Sequence, residues 1–135
     1  MSLKLSTSLR NAQMDAITAA IGNGGLVKIY SGSRPANVAA AITGTLLGTL
    51  TGAAPFAPAA SGGVLTASAL TQDSAADATG AATHFRIFQS DGTTAVMDGD
   101  VTAIGDGGDL QLNTTAIVVG GPIVVSSFVL TAGGA

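Results

Sequence analysis

The sequence predicts a mainly β chain with one N-terminal amphipathic helix, arranged as a β-sandwich, jelly roll or barrel rather than a βαβ fold. Three observations predict it. After residue 25 the chain runs in short alternating stretches, with Val27 and Ile29 set against Lys28 and Tyr30, the period of a half-buried strand. Turn-forming groups punctuate those stretches: Ser90-Asp91-Gly92, Gly105-Asp106-Gly107-Gly108 and Gly120-Gly121-Pro122. Helical spacing is confined to the start of the chain.

That helix is expected over 7–21. Ser6, Thr7 and Ser8 offer side-chain oxygens to the unpaired N–H groups of a first turn, and Gly22-Asn23-Gly24-Gly25 supplies a stop. On a helical wheel Leu9, Met14, Ile17 and Ile21 share one side, with Asn11, Asp15 and Thr18 opposite. Strands are expected at 26–31, 45–51, 64–70, 83–90, 94–101, 109–112, 115–119 and 123–131. The stretch 33–43, with Arg34-Pro35 and an Ala run, reads as a loop or a short helix. The polar, Ala-rich stretch 71–82 reads as an exposed, mobile connection. Residues 1–135 make one domain, the helix followed by a β-domain over about 26–131.

Composition narrows the function. Ala (25), Gly (19), Thr (16) and Ser (11) fill more than half of 135 positions, and there is no Glu, Cys or Trp. Two Lys, three Arg and eight Asp give a net charge of -3, which speaks against a nucleic-acid backbone as partner. No run is apolar enough to span a membrane, and Asp15 sits where a signal peptide would need its apolar centre. Synthesis in the cytoplasm is the expectation. Small residues in such number suit close backbone approach and surface fit better than catalysis.

The catalytic readings fail singly. His84 is the one imidazole, and no G-x-S-x-G context accompanies a serine. Within Thr83-His84-Phe85-Arg86-Ile87-Phe88, alternation places His84, Arg86 and Phe88 on one face and Phe85 and Ile87 on the other. Asp98, Asp100, Asp106 and Asp109 are the best metal candidates, since Asp/Gly-rich turns can gather the oxygens that Ca²⁺ prefers. An EF-hand register from Asp98 puts Ala103 where glycine is required and Asp109 where glutamate is required. Turn aspartates that bond their own backbone are the plainer reading. The glycine clusters end helices or turns and lack a following Lys-Ser/Thr, so no phosphate loop is expected. A paired-carboxylate glycosidase would need aromatic platforms, and the chain has four Phe, one Tyr and no Trp. No catalytic residue, cofactor or metal site is expected.

Several phrases carry a resemblance. They are Leu5-Ser6-Thr7-Ser8-Leu9-Arg10-Asn11-Ala12 with Asp15-Ala16-Ile17, and Val27-Lys28-Ile29-Tyr30-Ser31-Gly32-Ser33-Arg34-Pro35-Ala36. Further along come His84-Phe85-Arg86-Ile87-Phe88 with Ser90-Asp91-Gly92, Leu112-Asn113-Thr114-Thr115, and Gly121-Pro122-Ile123-Val124-Val125-Ser126-Ser127-Phe128. Together they resemble small virion proteins of tailed bacteriophages and prophages, above all the cement (decoration) proteins of the capsid. The resemblance implies a jelly-roll-like β-sandwich that forms dimers or trimers, binds the major capsid protein on the capsid exterior and stabilises the shell. It brings no catalytic residues. Tyr30, Arg34, His84 and Arg86, rare types in a chain of small residues, are the interface candidates. The competing readings are a tail- or fibre-associated virion protein and a carbohydrate- or calcium-binding β-module using the region 98–109.

Overall fold

Helix α1 (Thr7–Ile21) begins where Ser6 can cap it: the Leu9 N–H donates to Ser6 Oγ at 3.1 Å. It ends at Gly22, whose φ of 75° and N–H donation to Thr18 O close the last turn. The computed structural model of the chain describes residues 3–125 and 127–134. Met14, Ile17 and Ile21 face the core, but Leu9 is 47% exposed, contrary to the wheel expectation. Arg10 and Asn11 face the body instead, because the first turns dock on a turn whose backbone groups need partners. Gly63 N donates to Asn11 Oδ1 at 2.7 Å, Ala60 N to Asp15 Oδ1 at 2.7 Å, and Arg10 Nη1 to Gly62 O at 3.3 Å.

The strands are β1 (Leu26–Tyr30), β2 (Leu46–Thr51), β3 (Val64–Thr66), β4 (Gly80–Ala81) and β5 (His84–Phe88). They continue with β6 (Ala95–Ala103), β7 (Leu110–Leu112), β8 (Ala116–Ile117) and β9 (Val129–Thr131). The main sheet has the order β2-β1-β5-β6-β7 and curls into a half-barrel. Two short antiparallel ladders, β3-β9 and β4-β8, accompany it. The fold is thus mainly β with one helix, as the periodicity predicts.

Several expected strands are shorter than the apolar pattern suggests. The 64–70 stretch pairs only through Thr66, and 123–131 divides into single bridges at Ile123 and Val125 before β9; its Ser126 lies outside the described residues. The 71–82 connection is mostly exposed, as expected, and hydrogen bonds hold it along β2. Thr71 exchanges two backbone bonds with Thr51, Asp77 N donates to Leu47 O, and Thr49 N donates to the Asp73 carboxylate. The segment therefore lies along the free side of β2, and Ala76 is buried in the core. Residues 33–43 hold turns and no helix.

Pairing of β6 with β7 is parallel, which ordinarily needs a crossover of a dozen residues or more. Here residues 104–109 make the return. Gly105 and Gly107 take φ of 91° and 83°, a region open to glycine, and Gly108 N is held by Thr102 Oγ1 at 3.0 Å. The β5–β6 hairpin turns on Asp91. Its carboxylate accepts from Thr93 N, Thr94 N and the Thr94 hydroxyl, which hold its pKa down at about 2.

One core unites these parts. Register sets Val27 beside Ile87 and Ile29 beside Phe85, and Phe128 meets Phe85 edge-on at 5.5 Å and Phe56 at 6.3 Å. Phe85 lies opposite Gly99 of β6, and a Cβ there would overlap its ring. Gly99→Ala is accordingly expected to lower stability by about 1–3 kcal/mol, the usual cost of overpacking, with denaturant unfolding showing a lower midpoint and an unchanged slope.

Candidate functional site

β5 is buried on both faces. Phe85 and Ile87 enter the core, while His84, Arg86 and Phe88 point to the opposite face of the sheet. Register builds two polar rows there. Lys28, Arg86 and Asp98 lie side by side across β1, β5 and β6, and Tyr30, His84 and Asp100 form the next row. A loop over residues 31–45 covers this face as a strap, its neck closed by Ser31 N donating to Thr45 O at 3.0 Å. Gly44 permits the closure, since a Cβ there would overlap the Ser31 carbonyl.

Arg86 joins sheet and strap. Its Nε and Nη2 donate to the two oxygens of Asp98 at 2.6 and 2.9 Å, and both side chains are almost wholly buried. The remaining donors reach the strap, Nη1 to Ala40 O at 2.8 Å and Nη2 to Asn37 O at 3.1 Å. A buried guanidinium is tolerated when its charge is paired and its nitrogens find acceptors; here Asp98 pairs the charge and four of the five N–H groups are met. The Asp98 hydrogen bond raises the pKa of Arg86 further.

His84 is fully buried and stacks on Tyr30 with 5.4 Å between ring centres. Its Nδ1 lies 3.1 Å from Thr83 Oγ1, and that hydroxyl also lies 2.6 Å from Gly32 O. A hydroxyl carries one hydrogen, and the carbonyl can only accept it. This assigns the imidazole Nδ1–H as donor to Thr83 and leaves Nε2 a bare acceptor, which has no partner among the described residues. Burial pushes the pKa of His84 down, with Arg86 and Arg34 acting the same way and Asp98 and Asp100 opposing. The Tyr30 hydroxyl is raised, chiefly by burial.

All four interface candidates therefore meet in one place. Only Arg34 of the four reaches the surface with its side chain, where Nη1 pairs with Asp100 Oδ1 at 3.0 Å on the strap's rim. Tyr30, His84 and Arg86 lie beneath the strap and contact no surface partner directly. Rarity of residue type located the cluster. It could not supply Asp98 as the partner of Arg86, nor the strap carbonyls, because those contacts join positions far apart in sequence.

The four metal candidates do not converge. Asp98 is taken by Arg86, Asp100 by Arg34, and Asp109 Oδ2 accepts the Asp100 N–H at 3.0 Å. Asp106 sits in the 104–109 return, its N–H bonded to Ala103 O. Among the described residues no three His, Cys, Asp or Glu side chains gather as a metal site would require.

A second region is apolar. Val118 and Val119 follow β8, are 62% and 59% exposed, and lead into a turn closed by Gly121 N and Val118 O. Beside them a concavity of about 210 Å³ is lined by Asn113, Thr114, Ile117, Pro122, Ile123 and Val124. A second of about 190 Å³ lies between 66–70 and Val125, Ser127 and Phe128. Neither lining carries a charged group.

Removing one member of the buried pair should cost far more than removing both. Asp98→Ala is expected to lose about 3–5 kcal/mol in urea unfolding, because it strands a buried cation. Arg86→Met combined with Asp98→Leu should lose clearly less than that single change, and equal losses would mean the pair is not electrostatically coupled.

Comparison with protein-family models, curated proteins and solved structures returned no match for this chain.

Proposed function

We propose that this chain is a non-enzymatic structural protein of a tailed-phage virion, a cement protein that sits on the capsid exterior, binds the major capsid protein and stabilises the shell. In this reading the half-barrel and its two ladders belong to a jelly-roll-like β-sandwich, and the protein acts as a dimer or trimer. The phrases from Leu5 to Phe128 that resemble such proteins motivate the assignment. The observation that carries it is the division of labour between charged and apolar side chains.

Most of the charged groups bond to the chain itself, Arg86 and Asp98 in its interior and the others at or near its surface. Arg10, Lys28, Arg34 and Arg86 each donate to a group of this chain, and Asp15, Asp73, Asp91, Asp98, Asp100 and Asp109 each accept from one. Val118, Val119 and Val124 meanwhile stand out beside a concavity without charge. Such a surface gains free energy by burial against another protein, at about 25 cal/mol per Å² of apolar area removed from water. Binding the assembled shell and not its dissociated subunits stabilises the shell by mass action, with no chemistry required.

The test mixes purified protein with undecorated shells and measures cosedimentation. The protein is expected to bind, and Val118→Ser with Val119→Ser should weaken binding about ten- to hundredfold while the melting temperature holds. Absence of the protein from purified virions, with no binding to shells, overturns the assignment. Equal binding by the variant moves the contact to another surface.

A further inference from the structure

We propose that His84 is an acid-sensing latch for the 31–45 strap: a proton taken up at Nε2 breaks the strap's seat on the sheet and opens it. The inference is independent of the cement reading and rests on three features of the cluster.

First, the imidazole is sealed. His84 has no exposed surface, lies against Tyr30, and would meet a Cβ placed on Gly44 of the strap at 3.6 Å. Second, its hydrogen-bonding state is fixed. Thr83 Oγ1 serves Gly32 O and Nδ1 together, so the only place for an added proton is Nε2, which has no hydrogen-bond partner among the described residues. Protonation would create a buried charge and a buried unmet donor at once, and both are costly. Third, the strap has an easy alternative. It is held by three polar anchors, Thr83 to Gly32 O, Arg86 to the carbonyls of Asn37 and Ala40, and Arg34 to Asp100 on the exposed rim. Lifting it would admit water to the ring and satisfy the new N–H.

The charged and titratable groups around the ring come from every element packed on it. They are Tyr30 from β1, Arg86 from β5, Asp98 and Asp100 from β6, and Arg34 from the strap. Two cations and two carboxylates balance in number, so burial decides, and it disfavours the imidazolium while the strap is closed. With the strap open the ring is hydrated and titrates near the ordinary 6.5. The open form therefore binds a proton that the closed form refuses. Closure is at full strength above pH 6.5 and weakens as pH falls through 6.5 towards the lowered value of the closed state. A single proton limits the change in the opening equilibrium to about tenfold per pH unit.

Because His84 is the chain's only histidine, its ring resonances can be titrated by NMR without ambiguity. Amide exchange would be followed in parallel, as protection factors at Ser31 and Ala40 in the strap and at Val27 and Ile87 in the sheet. The ring is expected to titrate below 6.5, and strap protection to fall over the same pH range by up to about tenfold per unit while sheet protection holds. His84→Phe, which keeps the stack on Tyr30 but takes no proton, should abolish that fall. A midpoint at or above 6.5, strap protection indifferent to pH, or the same fall in His84→Phe would each overturn the proposal. The wild-type titration decides it even if the variant fails to fold.

Discussion

A guanidinium sealed under a loop is the constraint on which the two faces of this sheet depend. Arg86 has five N–H donors and is only 5% exposed, so little water is at hand to replace a missing partner. Asp98 alone meets two of them and balances the charge, but the outward-pointing donors still require oxygens from somewhere. They find them in the carbonyls of Asn37 and Ala40. The strap is thus folded against the sheet by the needs of a side chain on a neighbouring strand, since its own residues, mostly Ala, Gly and Ser, have little apolar surface to offer.

The excess of small residues has a mechanical meaning as well. Gly99 leaves room for the Phe85 ring, Gly48 for the Ile123 side chain, and Gly44 for the Ser31 carbonyl. Each lets one backbone segment approach another group more closely than a Cβ would allow. The apolar core is correspondingly built from few large side chains, among which Phe56, Phe85 and Phe128 form one edge-to-face group. What the chain lacks in side-chain bulk it recovers by drawing backbones together.

Local features were legible from the sequence and distant pairings were not. The helix bounds follow from its Ser6 cap and the glycine at position 22, both local signals. The wheel misplaced Leu9 and Asn11, because the surface that α1 meets is a polar turn 52 residues from Asn11 along the chain, and no periodicity reports it. The brevity of β3 and β9, the parallel match of β6 with β7, and the course of 71–82 along β2 are likewise set by partners outside any sequence window. For the candidate site, scarcity of His, Arg and Tyr picked out residues that meet in one cluster. Their burial was hidden, because it depends on a strap whose sequence reads equally as loop or helix.

The course of 71–82 has a consequence for how copies of this protein can crowd. A sheet edge with unpaired backbone groups is a template for another chain. Here Thr71, Asp73 and Asp77 occupy the outer side of β2, and at the opposite edge Leu112 of β7 bridges to Val125. Part of each outer edge of the half-barrel is taken by the chain's own segments. Strand-by-strand growth of one molecule onto another is then hindered at those two edges. At those two edges a contact between copies would rest on side-chain surfaces, which can be specific about angle and number in a way that an open edge is not.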